Sequence, residues 1–187
     1  MNGCKSKDRL MLLRSILMAA LSLATAPAFG HVTLEQNATP VGSFYKAVLK
    51  VPHGCDTSPT VKLRVTIPEG VIGVKPMVKP GWTLEVKRGA YAKSYSYLHG
   101  AKFSEGVREV TWSGGSLPDA FYDEFVISAF IAGELSAGET LYFPVVQECE
   151  KGAHHWVAAP SADKPAEKLG DPAPGLKLLQ KTKGHGE

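Results

Sequence analysis

Sulfur is scarce in this sequence, and the short motifs of familiar enzymes are missing. Of 187 residues only three are cysteine and four methionine. Cys4, Cys55 and Cys149 are widely separated, with no Cys-x-x-Cys pair, which excludes the common thiolate zinc spacings and a thioredoxin-type redox motif. There is no Gly-x-Ser-x-Gly elbow, no His-Glu-x-x-His and no phosphate-cradling Gly-rich loop, so no hydrolase or nucleotide-binding site of those kinds is encoded. No uninterrupted apolar run reaches the roughly 20 residues needed to span a bilayer. Amphipathic helical periodicity and internal repeats are also lacking, and solenoids and helical bundles go with them.

The amino-terminal segment reads as an export signal. Lys5, Lys7, Arg9 and Arg14 form a basic start, Ile16 to Leu23 an apolar stretch, and Ala28 and Gly30 supply the small −3 and −1 residues of a cleavage site. The pattern predicts a signal peptide over 1–30 and a mature chain that begins at His31 in the periplasm; Ala26 and Ala28 offer alternative cuts. Four of the 21 Lys and Arg residues and one of the 18 Asp and Glu residues lie in that leader, so the remainder carries 17 of each and is formally neutral. No basic patch is left to argue for nucleic acid or an anionic membrane as partner. About 157 residues remain, enough for one domain with its own core. Cys4 leaves with the leader, and in an oxidising compartment Cys55 and Cys149 are expected to form a structural disulfide.

The body reads as strands. Val61 to Ile67 alternates apolar and polar without a fault, the period-2 mark of a strand with one wet face. Trp82 to Lys87 and Arg108 to Trp112 repeat the pattern, the latter stopping at Ser113-Gly114-Gly115. Phe125 to Ile131 is an apolar run rich in β-branched and aromatic residues, as in a central strand. Leu141 to Val146 contains Pro144, which cannot donate to a ladder, so an edge or a bulge is expected there. Tyr45 to Val51, Lys93 to Leu98 and a short strand within His31 to Glu35 bring the count to seven to nine. The predicted fold is all-β, an antiparallel sandwich of immunoglobulin or cupredoxin type with one disulfide, covering residues 31–160. Residues 161–187, rich in Lys, Pro, Gly and Ala, are expected to form a flexible tail, with Leu176 to Leu179 able to make one helical turn.

A histidine at a new amino terminus carries distinctive chemistry. Its α-amine and imidazole titrate near neutral pH and together chelate a metal through a six-membered ring, the histidine brace. Nitrogen donors of this kind favour Cu(II) among first-row divalent ions. Two nitrogens leave Cu(II) undercoordinated, so the folded body must supply another ligand.

His31-Val32-Thr33-Leu34, Pro80-Gly81-Trp82, Trp112-Ser113-Gly114-Gly115, Asp123-Glu124-Phe125 and Tyr142-Phe143-Pro144-Val145-Val146-Gln147 resemble, in order and spacing, the YcnI-like domain family from His31 to about Pro160. The resemblance implies an exported β-sandwich that binds one Cu(II) per chain through a single-histidine brace completed by a carboxylate, with a tryptophan close to the metal. Carried onto this sequence, His31 supplies amine and imidazole, Glu124 or Asp119 the carboxylate, and Trp156 the tryptophan. His154 and His155, beside Trp156, could add a nitrogen, but neighbours on a strand point to opposite faces, so at most one of them can share its site. His53, His99 and His185 read as surface residues. Met77 is the only methionine beyond the leader, too little soft sulfur for a Cu(I) carrier.

The expected function is therefore copper acquisition, trafficking or delivery, without enzymatic activity. Other periplasmic copper chaperones or a copper-transport membrane protein would be the partners. A copper-dependent monooxygenase-like enzyme and a metal-free interaction module are the alternatives.

Overall fold

The computed structural model describes residues 30–161, 163–165 and 169–181. The expected leader, apart from Gly30, and His185 lie outside the described residues, in which no helix is long and apolar enough to cross a membrane. The strands are β1 (Thr33–Leu34), β2 (Ala38–Pro40), β3 (Ser43–Val51), β4 (Thr60–Thr66), β5 (Val71–Pro76), β6 (Thr83–Ser96), β7 (Lys102–Leu117), β8 (Asp123–Ile131), β9 (Thr140–Tyr142), β10 (Val145–Cys149), β11 (Ala153–Trp156) and β12 (Gly175–Leu179). One sheet has the order β1-β3-β8-β5, a second β11-β10-β4-β7-β6, and a small third sheet β2-β12-β9. The fold is an antiparallel β-sandwich, with β2 and β12 the parallel exception among the described strand pairs.

Alternation in the sequence explains which faces meet. On β3, Tyr45, Ala47, Leu49 and Val51 turn inward while Lys46 and Lys50 face out. Register sets Leu49 beside Phe125 and Ala47 beside Ile127, so β3 and β8 present one continuous apolar face. Opposite them, Leu63 and Val65 of β4 and Val110 and Trp112 of β7 are fully buried. Each such large side chain contributes roughly 1.5–3 kcal/mol by leaving water.

Three expectations are corrected. The Gly114-Gly115 pair does not end a strand, since β7 runs through it to Leu117. A Cβ on Gly115 would stand 2.2 Å from the Trp82 ring, so glycine there makes room for an indole laid on the strand. The run Leu141 to Val146 is not one strand: β9 and β10 belong to different sheets, and the chain changes sheet at Phe143-Pro144. The tail is not flexible throughout, and Leu176 to Leu179 is not helical. It forms β12 between β2 and β9, with Leu176 and Leu178 buried. Burial at every second residue was there to be read, but five residues between Pro- and Lys-rich flanks are too few to announce a strand without its neighbours.

Candidate metal centre

The candidate site lies at the seam where His31, just ahead of β1 at the edge of one sheet, meets Trp156 of β11, the edge of the other. Val32 and Trp156 both belong to the core, and His31, half-buried, sets its ring edge-to-face against that indole at 5.3 Å. On its outer side His31 lines a shallow cleft of about 250 Å³ with Asn37, Pro172 and Gly175. A larger cleft of about 430 Å³, lined by Tyr97, Phe130, Glu134 and Lys181, lies beyond the other end of β3.

Trp156 is 2 % exposed and held by chemistry as well as burial. Its indole N–H donates to Gln147 Oε1 at 3.0 Å. Gln147, 1 % exposed, uses its amide to donate to the His53 carbonyl and to Thr60 Oγ1, both at 2.7 Å. Three hydrogen bonds from one buried side chain thus tie β10, β11 and the loop after β3 together. Alternation on β11 puts His154 on the face of Trp156 and His155 on the opposite, exposed face. His154 stacks on the indole with ring centroids 4.9 Å apart, and its Nε2 is buried without a hydrogen-bond partner.

The loop after β3 brings a third imidazole. His53 Nε2 lies 2.7 Å from the Gly30 carbonyl oxygen and its Nδ1 2.6 Å from the Gly54 carbonyl oxygen, while its ring meets His154 edge-on at 6.0 Å. Gly54 cannot carry a side chain here, because a Cβ would stand 2.1 Å from the Ser58 carbonyl oxygen. The Gly54 N–H donates to Asp119 Oδ1 at 2.9 Å. Cys55 then bonds Cys149 at the end of β10, with Cα atoms 6.0 Å apart, which ties the loop after β3 to the other sheet.

Of the carboxylates named from sequence, Asp119 is therefore brought against the His53-Gly54 loop. Glu124 is set elsewhere: it pairs with Lys50, which pairs with Thr33, so it stands two strands from β1 on the outward face. At about 4.8 Å per strand that is roughly 10 Å. Among the described residues no three His, Cys, Asp and Glu side chains form a metal-holding group. A brace needs fewer, since one residue gives two donors. One of those, the His31 nitrogen, is an amide while Gly30 is attached and would be an amine only if that bond were cut.

Two residues of this site were not legible as such. His53 carries no spacing signal, standing far from His31 in sequence and reading as a surface residue. Gln147 did leave a trace, as a polar residue at the inward position between Val145 and Cys149.

Residues 31–178 match the family model described as "Domain of unknown function (DUF1775)". No curated protein matches the sequence. Among solved structures the chain is similar to an uncharacterized protein from Nocardia farcinica whose crystal structure is described as an immunoglobulin-like fold. The two are 26% identical, cover 80% of this chain and 98% of the other, and superpose with a TM-score of 0.58.

Proposed function

Because this chain belongs to the YcnI-like family of DUF1775 domains, we propose that it is an exported Cu(II)-binding protein of copper acquisition or delivery. In this reading the leader is cut before His31, and the freed amine and its imidazole grip one Cu(II) per chain. A carboxylate completes the set, Asp119 by preference for its contact with the adjoining loop, Glu124 as the alternative. The observation that carries the reading is the setting of His31: the residue at the cleavage motif is half-buried against a buried tryptophan, among two further imidazoles, at a seam stapled by a disulfide. A histidine left at a cut by accident would have no such surroundings to enter.

Nitrogen donors suit Cu(II), and the neighbouring indole shields one side of the site from water. The protein acts as a carrier, passing copper to another periplasmic chaperone or a membrane transporter.

The test is metal uptake by protein whose first residue is verified as His31 by intact mass. It should take one equivalent of Cu(II) tightly. His31→Ala, or retention of Gly30 ahead of His31, should abolish tight binding with the thermal melt unchanged. Equal affinity in both variants refutes the reading. Sustained turnover of ascorbate or peroxide with a polysaccharide would replace the carrier with an oxidase.

A further inference from the structure

We propose that His53 Nε2 is a ligand of the metal taken up by His31, and that cleavage after Gly30 is what uncovers it. The inference rests on the reading of His31 as the metal anchor, and departs from a single-histidine brace by adding a second imidazole.

The argument begins with a hydrogen bond that cannot survive maturation. His53 Nε2 lies 2.7 Å from the Gly30 carbonyl oxygen. That oxygen is two covalent bonds from the His31 nitrogen. Hydrolysis of the Gly30–His31 bond gives the water hydroxyl to the Gly30 carbonyl and the proton to the His31 nitrogen, and the leader departs with its new carboxyl group. What remains is an amine and an imidazole nitrogen facing one another across the space the carbonyl oxygen filled. A metal ion held by both would occupy that space.

The ring is also prepared for the role. In the uncut chain both of its nitrogens meet carbonyl oxygens. Neutral imidazole has a single N–H and can donate to only one of them. With Gly30 gone, the contact from Nδ1 to the Gly54 carbonyl at 2.6 Å remains. Nδ1 therefore keeps the proton, and Nε2 presents a bare lone pair. A backbone carbonyl holding the far nitrogen is the usual way a metal-binding histidine is fixed in tautomer and orientation.

The backbone beneath the ring is held on every side. Gln147 donates to the His53 carbonyl, Gly54 N–H donates to Asp119, and Cys55 is bonded to Cys149. Gly30 itself is a close fit, since a Cβ there would stand 2.8 Å from Pro52 Cγ and 3.1 Å from His53 Cδ2. Next to His53 the His154 ring keeps a buried nitrogen without a partner, so the cluster as a whole holds more nitrogen than its own hydrogen bonds satisfy.

The experiment uses the mature, disulfide-bonded protein loaded with one equivalent of isotopically pure Cu(II). Nitrogen couplings are counted by electron paramagnetic resonance and affinity is measured by competition. The wild type should show three directly bound nitrogens: the His31 amine, the His31 imidazole and the His53 imidazole. His53→Ala and His53→Gln should each show two and bind at least tenfold more weakly. Added imidazole should restore the third nitrogen in the alanine variant, which a merely structural role would not do. His154→Phe keeps the stack on Trp156 and should retain all three. Unchanged nitrogen count and affinity in both His53 variants overturns the inference, as does loss of the third nitrogen in His154→Phe alone. If His31→Ala also binds normally, the underlying reading of His31 has failed; if only the His53 variants are silent, that reading stands and this inference falls.

Discussion

Replacing Gln147 with leucine should loosen the proposed metal centre and the fold together. The side chain is buried and makes three hydrogen bonds: from the Trp156 indole N–H, to the His53 carbonyl and to Thr60 Oγ1. Leucine fills a similar volume, so a cavity contributes little and the loss reports on the polar groups left behind. The Thr60 hydroxyl can turn toward Cys149 Sγ, which lies 3.8 Å away. The Trp156 N–H and the His53 carbonyl have no such recourse, and each stranded group costs about 1–3 kcal/mol. Their sum is roughly 2–6 kcal/mol, which at about 3 °C per kcal/mol for a domain of this size lowers Tm by ~6–18 °C. Differential scanning calorimetry with urea unfolding measures it. Adding Trp156→Phe removes the stranded donor, so the double variant should be less destabilised than the two single losses added together. Copper affinity of Gln147→Leu should fall as well, because the His53 loop loses an anchor. A stability loss below about 1 kcal/mol with unchanged copper affinity would refute the idea that this network carries the site.

Three further outcomes are expected. Replacing Cys55 and Cys149 by serine should cost about 4–5 kcal/mol in the chain-entropy picture of a loop this long; an unchanged urea midpoint would contradict it. Reduction should weaken the proposed copper binding, since the proposed donors are nitrogen and oxygen and Met77 lies exposed between β5 and β6; a Cu(I) chelator that fails to strip ascorbate-reduced protein would argue otherwise. Alkaline pH should unfold the domain. Burial, with Glu69 adding to it, pushes the Tyr95 phenol up to about 12, and burial also raises Tyr45 and Tyr91. The folded state thus favours neutral phenols that ionise near 10 when unfolded. That stability is whole below about pH 10 and is lost as pH climbs through the folded values; a urea midpoint that stays flat from pH 9 to 12 would refute it.

Period-2 alternation made much of the sandwich legible because each strand has one face in the core. Val61 to Ile67 announced β4, and the apolar run from Phe125 announced β8. Where alternation was short or interrupted, the reading failed for identifiable reasons. β12 spans five residues, β5 carries Gly73 and Pro76 at an edge that tolerates them, and Pro144 hid a change of sheet inside one apolar run. The opposite faces of His154 and His155 were foreseeable from the same rule, though not which of the two would turn inward.

The sequence by itself determined the chemistry on offer: a run of small residues that ends before a histidine, two cysteines to pair, and strands that must hide one face. Those are local properties, set by residue type and by spacing along a few residues of chain. Which groups meet at the seam was decided only by the tertiary structure. The distance between His53 and Gly30, the choice of Asp119 over Glu124 as neighbour of that loop, and the three hydrogen bonds of Gln147 all depend on how β1, β3, β10 and β11 are registered. Register is fixed by burial summed over whole sheets, and no window of the sequence contains that sum.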